Sequence, residues 1–249
     1  MCHDLDSSPP IPVIAGAAVS HEDLELEATD GNSFAAFAAF PDEPARVGVV
    51  VLPDVRGLYR FYEELALRLA ERGFASVAFD YFGRTAGVAK RDEDFPYMEY
   101  VAQTMPEDVQ ADVAACVAHL RSQGCTSIFT VGFCFGGRHS WLSAAGGHGL
   151  SGAVGFYGST TERNGQPGPT ERAGEMTAPI LALQAGDDQN ITADHNAAFD
   201  AALTAAGVAH ELVTYPGAPH SFFDRKYTEY AEASDDAWQR VLAFINQHV

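Results

Sequence analysis

Apolar positions along this chain follow two rhythms that alternate. Val47 to Leu52, Ala75 to Phe79, Ser127 to Val131, Ala153 to Tyr157 and Pro179 to Leu183 are short, nearly continuous apolar runs. Runs of that length predict strands covered on both faces. His210 to Thr214 predicts a last strand. Between the runs, apolar residues recur three and four apart, as on one face of a helix. Phe61, Leu65 and Leu69 form one such stripe, closed by Gly73. Val109, Val113, Cys116, Val117 and Leu120 form another, opened by Pro106 and stopped by Gly124. Thr192 is placed to cap a helix running to about Ala206, and Trp238, Val241, Leu242 and Ile245 mark a C-terminal helix. Asp23 to Ala28 and Phe34 to Phe40, joined by Asp30-Gly31-Asn32, predict a hairpin ahead of the alternation.

Two stretches break this rhythm. Residues 85 to 105 predict an irregular excursion with a short helix, and residues 164 to 169 are too rich in glycine and proline for anything but a loop. The first 20 residues predict an extended leader lying over the surface, leaving residues 21–249 as a single domain. Alternating strands and helices without a fixed repeat imply an α/β fold, a mostly parallel doubly wound sheet with helices on both faces. In such sheets, sites gather at the carboxyl ends of the strands. Asp54, Arg84, Cys134, Asp188 and His220 each fall a few positions after a predicted strand.

The sharpest local pattern is Gly132-Phe133-Cys134-Phe135-Gly136-Gly137. It joins a predicted strand to Arg138–Ala145, a proline-free stretch able to form a helix. Small residues two before and two after the cysteine let the chain turn so sharply that the side chain stands exposed at the strand end, the geometry of a nucleophile elbow. A glycine-rich turn around a buried cysteine is the plainer alternative.

Composition narrows the function classes. The chain has 249 residues, 47% of them hydrophobic and 20% charged, as a globular protein has. Its net charge of −19 repels phosphate backbones and anionic lipid, which argues against nucleic acid or a membrane surface as partner. The four cysteines, Cys2, Cys116, Cys125 and Cys134, have no paired spacing, so a reduced cytoplasmic setting is expected. The acidic N-terminus lacks the basic and then apolar order of a signal peptide, and no apolar run is long enough to span a membrane. Cys2-His3-Asp4 is a weak candidate for a metal, and no phosphate loop or dinucleotide fingerprint occurs, so no metal or cofactor is expected. Cys116 is expected in the core.

A thiol needs a neighbouring base or a helix N-terminus to become a nucleophile at neutral pH. The elbow supplies the helix. His220, directly after a Pro-Gly-Ala-Pro turn, is the candidate base, and either Asp187 or Asp188 could orient it. The order nucleophile, acid, histidine is that of serine-type triads on doubly wound sheets. Backbone N–H groups of Val55 and Phe135 are placed to hold an oxyanion. Tyr81, Phe82, Tyr157 and Phe222 are candidate pocket walls. The competing expectation is a non-catalytic, redox-sensing module with Cys134 as an oxidisable thiolate.

Taken together, Gly132 to Gly137, Gly186-Asp187-Asp188 and Tyr215-Pro-Gly-Ala-Pro-His220-Ser-Phe222 resemble the dienelactone hydrolases, a cysteine-dependent branch of the α/β-hydrolases, over about residues 22–248. The resemblance implies a triad of Cys134, Asp188 and His220, with Asp188 preferred over Asp187. It implies a lactone substrate bearing a carboxylate, or a small ester, opened through an acyl thioester. It also implies an acid that pairs with the resting thiol, here Asp54, one methylene shorter than the family's glutamate. Two arginines would clamp the carboxylate. Arg84 matches the first, and the second position is Asp224 here, with Arg225 one residue further. Arg56 and Arg138 are near enough to the motifs to substitute.

Overall fold

The computed structural model describes residues 3–4, 6–92 and 94–249. Eight strands form one sheet: β1 (Val19–Glu27), β2 (Ser33–Pro41), β3 (Val47–Leu52), β4 (Ala75–Phe79), β5 (Ser127–Phe133), β6 (Gly152–Phe156), β7 (Ile180–Ala185) and β8 (His210–Tyr215). Their spatial order is β1-β2-β4-β3-β5-β6-β7-β8, with β1, β2 and β4 paired antiparallel and all remaining pairs parallel. That order, with its antiparallel start, is the α/β-hydrolase arrangement. The helices are α1 (Arg60–Ala70), α2 (Gly83–Ala86), α3 (Tyr97–Val101), α4 (Pro106–Ser122), α5 (Phe135–Ser143), α6 (Ala193–Ala206) and α7 (Ala231–Gln247).

Alternation along the central strands sends side chains to two cores. Val49 and Val51 join Phe61, Leu65 and Leu69 of α1 and Trp238, Val241 and Ile245 of α7 on one face. Val50 and Leu52 meet Val109, Val113, Val117 and Leu120 of α4 on the other. Because both faces are covered, β3 is buried throughout, which is why its sequence is continuously apolar. By contrast β1, at the sheet edge, is largely exposed and carries alternating acidic residues, which discourages pairing with another chain.

Local signals set the element ends. Pro106 is the first residue of α4, where a missing N–H costs nothing. Thr192 caps α6 by accepting from the His195 N–H at 3.3 Å, and Gly207 closes that helix at φ 71°.

Two expectations change. The excursion over residues 85–105 contains α2 and α3 and is pinned by Arg91, whose guanidinium donates to both oxygens of buried Asp80 at 3.1 and 2.7 Å and lies 4.5 Å from the Phe95 ring. The leader does not simply lie over the surface: residues 12–16 are exposed, but His3, Ser7, Pro9 and Ile11 are buried. A lone histidine in an unpatterned stretch gives no sequence signal of burial, because its partners come from distant loops.

Candidate active site

The elbow is built by close backbone approach. A Cβ on Gly132 would run into the Gly136 carbonyl, one on Gly136 into the carbonyls of Leu52 and Pro53, and one on Gly137 into that of Phe156. With these three positions bare, α5 packs directly against the ends of β3, β5 and β6. Cys134 then sits at φ 54°, a left-handed conformation that a side-chain-bearing residue adopts only under constraint. Its N–H donates to the Phe156 carbonyl at 3.0 Å, and its own carbonyl accepts from Arg138 N–H at 3.2 Å. Ser140 and Trp141 anchor α5 from behind, Ser140 Oγ donating to the Val154 carbonyl at 2.7 Å and Trp141 Nε1 to that of Leu181 at 3.1 Å. Phe135, as first residue of α5, has an N–H with no acceptor inside the helix.

His220 and Asp188 meet at the neighbouring strand ends. His220 Nδ1 lies 2.5 Å from Asp188 Oδ2. The other oxygen, Oδ1, accepts from the N–H groups of Asn190 at 2.8 Å and Ile191 at 3.1 Å. Burial pushes the Asp188 carboxyl up, but the His220 contact and these N–H groups outweigh it and hold the acid below its ordinary range. Asp187, its competitor, is exposed and contacts Gln189 instead. The Tyr157 ring lies 4.9 Å from that of His220 and, one residue after the acceptor of the Cys134 N–H, ties the two halves together. Among the described residues, four without a glycine's freedom take positive φ, and three of them, Cys134, Tyr157 and Ser221, lie here. Strain so concentrated marks a site whose geometry the surrounding packing enforces. Tyr157 and Ser221 carry this strain with no turn motif of their own to announce it.

Asp54 is fully buried at the end of β3. Its Oδ1 accepts from Arg56 N–H at 2.8 Å, its Oδ2 from the Tyr59 hydroxyl at 2.9 Å, and its own N–H donates to Tyr62 Oη at 2.9 Å. The carboxylate thus folds the loop that presents Val55. Tyr81 donates to the Pro53 carbonyl at 2.7 Å and packs edge-on against Phe135 at 5.1 Å, closing the same corner. Phe82 and Phe222 are both fully buried: Phe82 supports the excursion through Phe95 and Tyr100, and Phe222 packs between Tyr157 and Tyr215.

The arginines go elsewhere. Arg84, on α2, donates to Asp112 of α4 at 2.7 Å and to Asp30 of the hairpin turn at 2.8 and 3.1 Å. Arg225 Nη2 donates to the carbonyls of Pro9 and Ile11 at 3.1 and 2.8 Å. Arg56 donates to the His3 carbonyl at 2.8 Å. Arg138 is buried against the carbonyls of Thr161, Gln166 and Pro167. Asp224 is buried and faces His3 across 3.7 Å.

Cys116 and Cys125 are buried, and desolvation pushes both thiols up, away from the reactive thiolate. Of the terminal Cys2-His3-Asp4 cluster, Cys2 lies outside the described residues, His3 stacks on Phe61, and Asp4 pairs with Lys226. Among the described residues no group of three metal-ligating side chains occurs, and no helix is long and apolar enough to cross a membrane.

Comparison with known proteins finds relatives of the chain. The model of the "Dienelactone hydrolase family" matches residues 34–249. An Escherichia coli K12 protein named "Putative carboxymethylenebutenolidase" is 31% identical over 231 residues, covering 88% of this chain and 84% of that one. A Bradyrhizobium protein named "Probable 2-oxo-3-(5-oxofuran-2-ylidene)propanoate lactonase" is 28% identical over 235 residues, covering 89% and 92%. A Klebsiella pneumoniae crystal structure titled as a "Putative Dienelactone Hydrolase" superposes with a TM-score of 0.82 at 28% identity, covering 92% of this chain and 99% of that one.

Proposed function

The chain belongs to the dienelactone hydrolase family of α/β-hydrolases, and from that premise we propose that it opens lactones or short esters through an acyl thioester on Cys134. The observation that carries this reading is the 2.5 Å His220–Asp188 contact at the strand ends beside a cysteine held at φ 54°.

In the proposed cycle His220 accepts the Cys134 proton, and the thiolate sulfur attacks the acyl carbon. Charge develops on the carbonyl oxygen, where the N–H groups of Phe135 and Val55 receive it. The ring or ester C–O bond then breaks, and the departing alkoxide takes the proton from His220. Water, deprotonated by the same imidazole, attacks the thioester, and the C–S bond breaks to release the carboxylate product and restore Cys134. Asp188 keeps Nδ1 engaged so that Nε2 is the atom that exchanges protons, and stabilises the transient imidazolium. The engaged pair favours this cycle over a redox-sensing module, which needs a lowered thiol pKa and no histidine–acid partner. Asp54 is assigned to shaping the Val55 loop, since both its oxygens are already held.

The preferred substrate in this reading is uncharged at the acyl side. A substrate carboxylate would have to draw Arg84 away from Asp30 and Asp112, or Arg225 away from the leader, against a net charge of −19. The test is steady-state kinetics on dienelactone, on uncharged butenolides and on p-nitrophenyl esters, together with mass spectrometry of the trapped enzyme. Wild type is expected to favour the uncharged compounds and to accumulate an acyl adduct on the Cys134 peptide. Full activity in Cys134→Ala would refute the mechanism, and a strong preference for carboxylated dienelactone would refute the substrate assignment.

A further inference from the structure

The buried part of the leader reaches the site. The His3 ring stacks on Phe61 at 4.0 Å, meets Tyr62, Phe133 and Tyr157 edge-on, and is hydrogen-bonded through Nε2 to the Tyr157 hydroxyl at 3.1 Å. Tyr157 is the residue whose ring packs on His220, and Cys134 packs against the same aromatic cluster. The leader is tied to loops at the carboxyl ends of two strands. Arg56, after β3, donates to the His3 carbonyl at 2.8 Å. After β8, Arg225 N–H donates to the Ser8 carbonyl at 3.0 Å, and Lys226 Nζ reaches Asp4 at 2.7 Å and Asp6 at 3.0 Å.

The buried part of the leader is imperfectly satisfied. His3 Nδ1, Ser7 Oγ and Asp224 Oδ2 are sealed from solvent facing one another without a well-formed hydrogen bond, the His3–Asp224 gap being 3.7 Å. Buried polar atoms left unpaired lower the cost of leaving. Anchors at both ends, with an under-satisfied plug, describe a segment able to lift and return.

We propose that His3 and residues 6–11 form a displaceable strap across the active site, and that the His3 ring sets the size of acyl group the site admits. The inference rests on Cys134 being the reacting thiol, but access to that thiol can be read without turnover. The full chain is prepared with Cys2→Ser, which removes the terminal thiol, and the burial of Cys116 and Cys125 leaves Cys134 as the thiol that labelling reports. Modification rates by iodoacetamide and by fluorescein maleimide are compared. In His3→Ala and in Arg225→Ala the bulky reagent is expected to react about tenfold faster while iodoacetamide changes less than about threefold. His3→Phe, which keeps a ring in place, is expected to stay closed. The ratio of kcat/KM for a hexanoate over an acetate ester is expected to rise about tenfold in His3→Ala. Unchanged labelling in both variants overturns the strap, and opening by His3→Phe equal to that by His3→Ala overturns the role of the ring. If labelling shifts as expected but wild type turns over no ester, the strap stands and the proposed function fails.

Discussion

The residues that meet at the strand ends are held in two different ways. Cys134, Asp188 and His220 have short side chains on backbone with almost no freedom: glycines pressed against carbonyls fix the elbow, and N–H groups of Asn190 and Ile191 orient Asp188. Arg84 and Arg225 sit on equally well-placed backbone, but their long side chains end on Asp30 and Asp112 in one case and on leader carbonyls in the other. A short side chain goes where its Cα puts it. An arginine goes to whichever acceptor the rest of the fold brings within reach, and any carboxylate or backbone carbonyl will do. The geometry of the proposed triad is therefore set locally, and the place where each arginine ends is set by elements far away in sequence.

The largest effect that sharpens this contrast is expected at Asp188. Asp188→Asn preserves shape and removes the charge that orients His220, so kcat/KM should fall by roughly 10^3 to 10^4. It has a pH signature as well. The folded carboxyl is held below its ordinary 3.8, so its contribution to stability is full above that pH and is lost as pH falls through the lower folded value. Denaturant titrations between pH 2 and 6 should show that acid loss in wild type and less of it in the variant. A loss of activity under about tenfold would mean the pair is not positioned as the backbone suggests.

Next in size is the elbow. Gly136→Ala drives a methyl into two backbone carbonyls that cannot move independently, and should cost about 3 kcal/mol or more, read by urea denaturation. Gly174→Ala, with open space around the new methyl, should stay within about 0.5 kcal/mol. Equal effects would show that the elbow's tight contacts relax, and the claim that its backbone dictates Cys134 would fall with them.

On the arginine side, the test is Asp112. Burial raises its carboxyl to about 6, with Arg84 pulling the other way. The folded form therefore holds a proton more tightly than the unfolded chain does. Its stabilising contribution is present at low pH and is lost as pH rises from 3.8 through about 6. The change should be no more than about 3 kcal/mol, less whatever Arg84, Asn32 and Asp30 rearrange to recover. Asp112→Asn should flatten that part of the stability profile. A profile that stays steep would mean that another group carries the titration and that the Arg84–Asp112 contact is not the one that sets it.

The same contrast explains what could be read from the sequence. The alternation of buried strands and striped helices is a backbone and burial pattern, so the sheet, α1, α4, α6 and α7 were legible, as were the glycines around Cys134. The pairing of His220 with an acid in the Gly186-Asp187-Asp188 loop was legible as a pair of candidates; the preference for Asp188 comes from the family resemblance, since the residues alone leave Asp187 open. Three features gave no signal, each because its cause is tertiary. Arg91 is one arginine among many until buried Asp80 faces it. Tyr157 is strained only because β5 and β6 end together. His3 is buried because loops after β3 and β8 reach for the leader. Phe244 of α7, absent from the expected stripe, is buried because Phe129 and Gly152 leave a hollow for its ring.

The smallest expected effect probes whether local backbone placement extends beyond the elbow. Thr192 caps α6 directly after the loop that carries Asp188, its hydroxyl accepting from His195 N–H while its own N–H donates to His195 Nδ1 at 3.4 Å. Thr192→Ala should cost about 1 kcal/mol, the ordinary worth of an N-cap. Asp188 keeps its own two N–H donors in the variant, so kcat/KM should hold within about twofold. If activity instead falls with stability, the cap and not the Asn190–Ile191 turn holds the acid against His220. The locally determined part of the site would then extend a full helical turn further than the elbow and its immediate neighbours.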